Sequence, residues 1–263
     1  MNYFQICEQK LKYLNYSDRT IKTYMFYISQ FLDKVKTYPS KLSSKDFQSY
    51  LDSYEFTSVS QQNQVINAIR FLYKYGLEKK YDKVSFQRPR KERRLPQVID
   101  SEFLVSQISK IENLKHKAII SLGFSVGLRV SEVVNLKIED VDSKRMIINI
   151  RNAKGRKDRV VPLSENVLQT LREYFKKYRP ECYLFNGQSK IQYSDKSCNQ
   201  IVKKYIGGNF HFHLLRHSSF TSMLESGLDV RVIQKLAGHQ SVKTTEIYTH
   251  VSNKVLSKIK LPL

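Results

Sequence analysis

Gln87-Arg88-Pro89-Arg90-Lys91-Glu92-Arg93-Arg94-Leu95-Pro96 divides the chain. Two prolines and five basic residues in ten positions offer no apolar face to a helix or a strand. The stretch reads as an interdomain linker. Its charge suits a solvated hinge, a strap along a phosphate backbone, or both. It sets the organisation of the whole chain: a helical domain over 1–82, a basic linker over 83–97 and a larger domain over 98–263.

Upstream of the linker the pattern is helical. Phe4, Cys7, Leu11 and Leu14 follow i, i+3, i+7, i+10 spacing, one face of a first amphipathic stretch. Ser17 can cap a second helix through Ile21, Tyr24, Ile28 and Phe31. Ser43 with Asp46 forms a capping-box pattern before Phe47, Tyr50 and Leu51. A fourth helix carries Val65, Ile66, Ile69, Phe71 and Leu72, and Gly76 is its stop. Downstream the pattern is again mostly helical, with one interruption. Met146–Ile150 and Arg159–Leu163 are β-rich and bracket Asn152-Ala153-Lys154-Gly155-Arg156-Lys157-Asp158, a hairpin with a basic tip. Helices resume from Ser164, with one beginning near His213, a short one from Asp229 to Leu236 and one covering Tyr248. Val251, Val255 and Ile259 in the tail have i, i+4 spacing, an amphipathic segment for self-packing or for a neighbouring subunit. The fold class is mainly α with a small β-hairpin or sheet in the second domain.

Lys and Arg number 45 against 24 Asp and Glu in 263 residues, a net charge of +21. Self-repulsion of that size opposes compaction unless a polyanion neutralises it, so nucleic acid is the natural partner. An anionic membrane surface and RNA are the competing readings. No stretch approaches the roughly 20 apolar residues of a membrane span. Met1-Asn2-Tyr3-Phe4 begins no signal peptide, so the expected compartment is the cytoplasm, at the nucleoid in a bacterium. Cys7, Cys182 and Cys198 are far apart and read as reduced, small apolar residues.

No phosphate-cradling Gly-rich loop is present, and no Cys/His spacing suits zinc. Glu139, Asp140 and Asp142 are half of a metal nuclease site at most and read better as a solvated turn. His211, His213 and His217 lack a completing carboxylate, and His211 lies before the helix face that the other two share. Metal-free attack on a phosphodiester needs a nucleophile, cations on the non-bridging oxygens, a proton acceptor and a proton donor. Gly127-Leu128-Arg129-Val130-Ser131-Glu132 offers an arginine at a helix junction, with Glu132 placed at i+3 to hold it. His213-Leu214-Leu215-Arg216 puts an imidazole and a guanidinium on one helical face. Gly238-His239 follows, and nine residues after His239 comes Tyr248, in Thr244-Thr245-Glu246-Ile247-Tyr248-Thr249-His250. Each alone has an ordinary reading: a surface ion pair, an exposed lysine at 154, one packing tyrosine among 17.

Taken in order, these residues resemble the tyrosine recombinase (phage integrase) family, in its simple two-domain, Xer-like form. The family pattern is an Arg in Gly-Leu-Arg-x-Ser-Glu, a hairpin Lys, His-x-x-Arg, Gly-His, and a Tyr in Thr-Thr-x-x-Tyr-Thr-His. Here these are Arg129, Lys154, His213, Arg216, His239 and Tyr248. The resemblance spans about 98–252, and from His213 to Val251 there is no change of length. Ser219-Phe220 and Ala237 depart from the commoner pattern, at packing positions only. The N-terminal domain resembles the family's SAM-like core-binding domain in size, basic character and position.

The resemblance implies a site-specific recombinase acting on a double-stranded DNA recombination site, with the two domains closing as a C-shaped clamp. Tyr248 would attack the scissile phosphorus, leaving a 3′-phosphotyrosyl link and a free 5′-hydroxyl. Arg129 and Arg216 would clamp the non-bridging oxygens, with a hydrogen bond added by His239. Lys154 would protonate the leaving oxygen, and His213 would accept the proton of Tyr248. No cofactor, metal or ATP is implied. The working form would be a homo-tetramer on DNA passing through a Holliday junction, with the tail reaching the next subunit and a related recombinase or accessory factor as a further partner. Without a preceding arm-binding domain, a simple recombinase is expected rather than a lambda-type integrase. The rivals are type IB topoisomerase-like relaxation and a non-catalytic DNA-binding protein. Integration, excision, inversion and dimer resolution stay open.

Overall fold

Ser17 and Ser43 start helices where the sequence predicts them. Ser17 accepts from the Thr20 N–H (3.2 Å). Ser43 Oγ accepts from the Asp46 N–H (3.4 Å), and the Asp46 carboxylate accepts in return from the Ser43 N–H (2.7 Å). The structure, a computed structural model, describes residues 3–79, 97–151, 158–187, 192–239 and 241–248. The linker over 87–96, the hairpin tip with Lys154 and the tail with Val251, Val255 and Ile259 lie outside the described residues. The chain divides into two compact units, residues 1–93 and 94–263.

The first unit contains α1 (Tyr3–Tyr13), α2 (Asp18–Val35), α3 (Ser44–Asp52) and α4 (Val59–Phe71), the last winding into a π turn over Leu72–Gly76. Cys7 and Leu11 of α1 are buried, whereas Leu14 falls past its end and is exposed. Ile21, Ile28 and Phe31 of α2 face inward as their spacing requires. Aromatic rings fill the core: Phe31 meets Tyr50 edge-on (5.0 Å) and Phe47 stacks on Tyr73 (5.6 Å). The buried Tyr73 hydroxyl finds the Ser43 carbonyl at 2.6 Å, tying the end of this unit to the start of α3.

The second unit runs α5 (Ser101–Ser109), α6 (Leu114–Ser125), α7 (Val130–Asn135), β1 (Val141–Asp142), β2 (Ile147–Ile150), β3 (Arg159–Pro162), α8 (Glu165–Tyr178), α9 (Asp195–Tyr205), α10 (Phe212–Glu225) and α11 (Val230–Ala237). Helix α6 is apolar all round because it is central: Ala118, Ile119, Ile120 and Leu122 are all fully buried. Phe212, Leu214, Leu215 and Phe220 anchor α10 beside it. The sheet is antiparallel in the order β1-β2-β3, with Ile147 opposite Pro162 and Ile150 opposite Arg159. The β2–β3 hairpin was expected; β1, two residues long, was not.

Two expectations are corrected. Asp140 is not part of a solvated turn. Its carboxylate is buried, where it accepts from the Lys137 N–H (2.9 Å) and pairs with Arg151 (2.8 Å). As the third residue of the 3-10 turn Ile138–Asp140, it reaches back to the N-cap and satisfies a backbone donor that would otherwise be orphaned. Tyr248 lies not in an α-helix but at the end of a 3-10 turn over Glu246–Tyr248, as far as the described residues extend.

Between α6 and α7 the chain reverses through Gly127, at φ +63°. A Cβ there would lie 2.6 Å from two ring atoms of Phe220. Gly127→Ala therefore combines left-handed strain with a clash against a buried ring. It is expected to destabilise the fold by about 2–3 kcal/mol. A lowered urea midpoint at constant m-value reads the loss directly; an unchanged midpoint would show that the reversal has other backbone solutions.

Candidate active site

Helix ends converge on one place in the second unit. Arg129 is the N-cap of α7, and α10 carries His213, Arg216 and His217 within two turns. Helix α11 ends at Ala237, followed by Gly238 in the left-handed conformation and then His239. Arg129, His213, Arg216, His217, His239 and Tyr248 all line one cavity of about 630 Å³. Five of the six polar residues expected from the sequence are thus brought together. The sixth, Lys154, lies outside the described residues.

Arg216 is buried because the cores of three elements close around it (1% exposed). It donates to the carbonyl of Gly127 and to that of Ala237 (2.7 Å), and its guanidinium lies 4.7 Å from the Phe220 ring centre. The Ala237 carbonyl is one of the orphans at the C-terminus of α11, where the helix dipole also favours a cation. Burial and then the charge of Arg129 lower the Arg216 pKa to about 9, so the group stays charged at neutral pH. Nη2 also reaches His239 Nε2 (3.1 Å). Arginine has no acceptor, so Nε2 must accept, and the ring proton sits on Nδ1, where it is donated to Thr245 Oγ1 (2.9 Å).

Arg129 is held by Glu132, as the i+3 spacing predicts. The carboxylate accepts from Arg129 Nη1 (2.7 Å) and from the Arg129 backbone N–H (2.8 Å). It is also gripped by Arg159, through Nη1 (2.7 Å) and Nη2 (2.8 Å). Burial raises the Glu132 pKa, but the hydrogen bonds and charge of Arg159, with the hydrogen bonds of Arg129, outweigh it and hold the carboxyl at about 2.

The Tyr248 ring is buried against Phe220 (5.5 Å, edge-on). Burial raises the pKa of its phenol, and the charges of Arg216 and Arg129 oppose the rise. The phenol oxygen lies 3.1 Å from Nδ1 of His217, not from His213 as expected. His213 is exposed one turn earlier on α10, with its ring 4.4 Å from that of His217. The 3-10 turn delivers the phenol to the later of two imidazoles on one face, and sequence spacing cannot choose between i and i+4. In the sequence His217 stands out only as a candidate metal ligand beside His211 and His213. Among the described residues no three His, Cys, Asp or Glu side chains are grouped to hold a metal. Arg159 and Thr245 were also missed; their partners lie on other elements and leave no local signal.

The sequence model of the phage integrase family matches residues 97–254, and that of the phage integrase N-terminal SAM-like domain matches 3–83. The chain belongs to the phage integrase family. This integrase-family member is a tyrosine recombinase, an enzyme that breaks and rejoins DNA. It is 36% identical over 248 residues to tyrosine recombinase XerA of Pyrococcus horikoshii, covering 91% of this chain and 86% of that one. The crystal structure of XerA recombinase aligns at a TM-score of 0.57 and 29% identity, over 97% and 95% of the two chains. XerH site-specific recombinase bound to palindromic difH substrate shares the fold at a TM-score of 0.75, with 22% identity, over 90% and 78%. Among the described residues of the recombinase no helix is long and apolar enough to cross a membrane.

The imidazoles give the recombinase a pH limit. Burial, followed by neighbouring His213 or Arg216, holds the pKa of both His217 and His239 at about 4, below the usual 6.5. The folded chain then binds fewer protons than the unfolded chain between those values. The stability they contribute is present above pH 6.5 and is lost as pH falls towards 4. Glu132 adds a second loss below 4.5, its ordinary value. Urea midpoints should fall steadily as pH drops through the histidine window. A flat profile across that window would mean that both rings protonate freely in the folded state.

Proposed function

We propose that the recombinase cuts and rejoins double-stranded DNA at a specific site through a 3′-phosphotyrosyl link on Tyr248. The single observation carrying this reading is the cavity in which one phenol, two guanidinium groups and three imidazoles meet. Arg129 and Arg216 are placed to clamp the non-bridging oxygens, where charge grows as the phenol oxygen attacks. Three of the five Arg216 N–H donors are engaged by the Gly127 and Ala237 carbonyls and His239, so it acts as a rigidly held charge that keeps donors for the phosphate; Arg129, 19% exposed, is the more open of the two. Neutral His217, within hydrogen-bond distance, takes the phenol proton, and His213 beyond it stands at the mouth. His239 adds a hydrogen bond to the phosphate in the tautomer protonated at Nε2, in which the Thr245 hydroxyl donates to Nδ1 and Arg216 Nη2 turns its hydrogen from the ring to the phosphate. Lys154 protonates the departing 5′-oxygen. One P–O bond forms as another breaks, so the reaction balances without ATP, and a 5′-hydroxyl from a second duplex reverses it.

Exchange between two duplexes requires four cleavages, so a homo-tetramer working through a Holliday junction follows, with the Val251–Ile259 segment as the element passed between subunits. The +21 charge supports DNA as the polyanion. The three free cysteines fit a reducing compartment, the cytoplasm.

The test selects nicked duplexes from a random pool by covalent capture, then digests the adduct and maps the modified peptide. The expected product is a nucleotide-bearing peptide containing Tyr248. A link to any other tyrosine would displace the nucleophile, and no adduct at all would favour a DNA-binding protein without chemistry. Relaxation of any plasmid by a monomer would favour topoisomerase activity.

A further inference from the structure

We propose that Arg159, at the base of the hairpin, is a positioning residue of this active site: it keeps the Arg129 clamp cationic and locks it to the turn that carries His239. The inference rests on the strand-cleavage reading above. Arg159 is not among the residues lining the cavity that holds Tyr248. All three of its side-chain nitrogens are committed: Nη1 and Nη2 to the Glu132 carboxylate (2.7 and 2.8 Å) and Nε to the Leu236 carbonyl (2.8 Å). Its side chain is 9% exposed.

Charge supplies the first reason for it. Glu132, with a side chain 4% exposed, is a buried carboxylate that requires cationic partners. If Arg129 were its only partner, the two would cancel, and the clamp would offer the phosphate a neutral pair. A second arginine on the same carboxylate leaves one positive charge in excess. The fork geometry of guanidinium on carboxylate lets Arg159 take both oxygens while Arg129 shares Oε1.

Geometry supplies the second. The Leu236 carbonyl bound by Arg159 adjoins the Ala237 carbonyl bound by Arg216, so two arginines close the end of α11 immediately before His239. Gly238 is shaped to this contact. It adopts φ +61°, and a Cβ on it would lie 3.1 Å from Arg159 Cδ and 3.4 Å from Nε and Nη1. Arg159 also pairs with Ile150 in the strand ladder, at the end from which residues 152–157 depart. One side chain thus ties three elements together: the start of α7, the end of α11 and strand β3.

The experiment measures single-turnover cleavage and DNA affinity for wild type, Arg159→Gln, Arg129→Ala, the double variant of these two, and Tyr248→Phe. Arg159→Gln should slow cleavage about 100-fold, with affinity changed less than about threefold. On a substrate whose scissile phosphate is a methylphosphonate, which lacks one anionic oxygen, the defect should shrink to below about fivefold. The Arg129→Ala and double variants should cleave at rates within about threefold of each other. If Arg159→Gln proves poorly folded, Glu132→Gln combined with it removes the carboxylate that would otherwise neutralise Arg129. That pair should fold and cleave at least about tenfold faster than Arg159→Gln alone. Undiminished loss on the methylphosphonate, multiplicative loss in the double variant, or no recovery by the Glu132→Gln pair would each overturn the proposal. If Tyr248→Phe still forms adducts, the nucleophile reading fails instead, whatever Arg159 does.

Discussion

Replacing Tyr248 with Phe is expected to abolish covalent protein–DNA adducts, a loss of at least about 10⁴-fold in cleavage, while DNA affinity changes by less than about threefold. The ring keeps its place, because its packing against Phe220 and its position beside His217 depend on carbon atoms. Only the hydroxyl and its 3.1 Å contact with His217 Nδ1 disappear. The fold should lose no more than about 1 kcal/mol, the net worth of one hydrogen bond. A gel assay on a labelled nicked substrate separates the two effects, with binding read on the intact duplex. Adducts that persist would place the nucleophile on another side chain and leave Tyr248 a packing residue.

The Arg216→Ala variant should show a different signature. Cleavage should fall by about 10³-fold, and stability should also fall, by about 2–4 kcal/mol. The stability loss arises because the Gly127 and Ala237 carbonyls lose their donor inside the core, and Phe220 loses the cation over its face. Arg216→Lys should recover little of either, since one ammonium on a flexible stem cannot reproduce the fork that reaches α6's exit, α11's end and His239 together. Affinity should change by less than about fivefold, because most phosphate contacts lie elsewhere along the duplex. Single-turnover rates, equilibrium binding and urea midpoints on the same preparations decide the matter. Equal losses in rate and affinity would make Arg216 a ground-state binding residue and not a transition-state clamp.

The contrast between Arg216 and Arg129 shows how much of the site was legible in advance. Both arginines stood out in short motifs, and the pairing of Arg129 with Glu132 followed from i+3 spacing. That Arg216 is the buried anchor and Arg129 the more open donor did not. Nothing in His213-Leu214-Leu215-Arg216 states that two helix-end carbonyls will meet the guanidinium. Asp140 was misjudged for a similar reason: an acidic run looks solvated until Arg151 and a backbone donor from Lys137 are seen to close over it.

The sequence by itself determined what depends on three or four neighbouring residues. Ser17 and Ser43 as caps, the apolar faces of α1 to α4, the turn at Gly127, the β2–β3 strands and the ordered set of polar motifs all belong here, because caps, periodicity and backbone sterics act locally. Only the tertiary structure decided that His217 faces the phenol across 31 residues, that Arg159 grips Glu132 across 27, and that Arg216 reaches Gly127 across 89. Such contacts depend on how whole helices pack, and a shift of one turn exchanges one imidazole for the next without altering any local pattern.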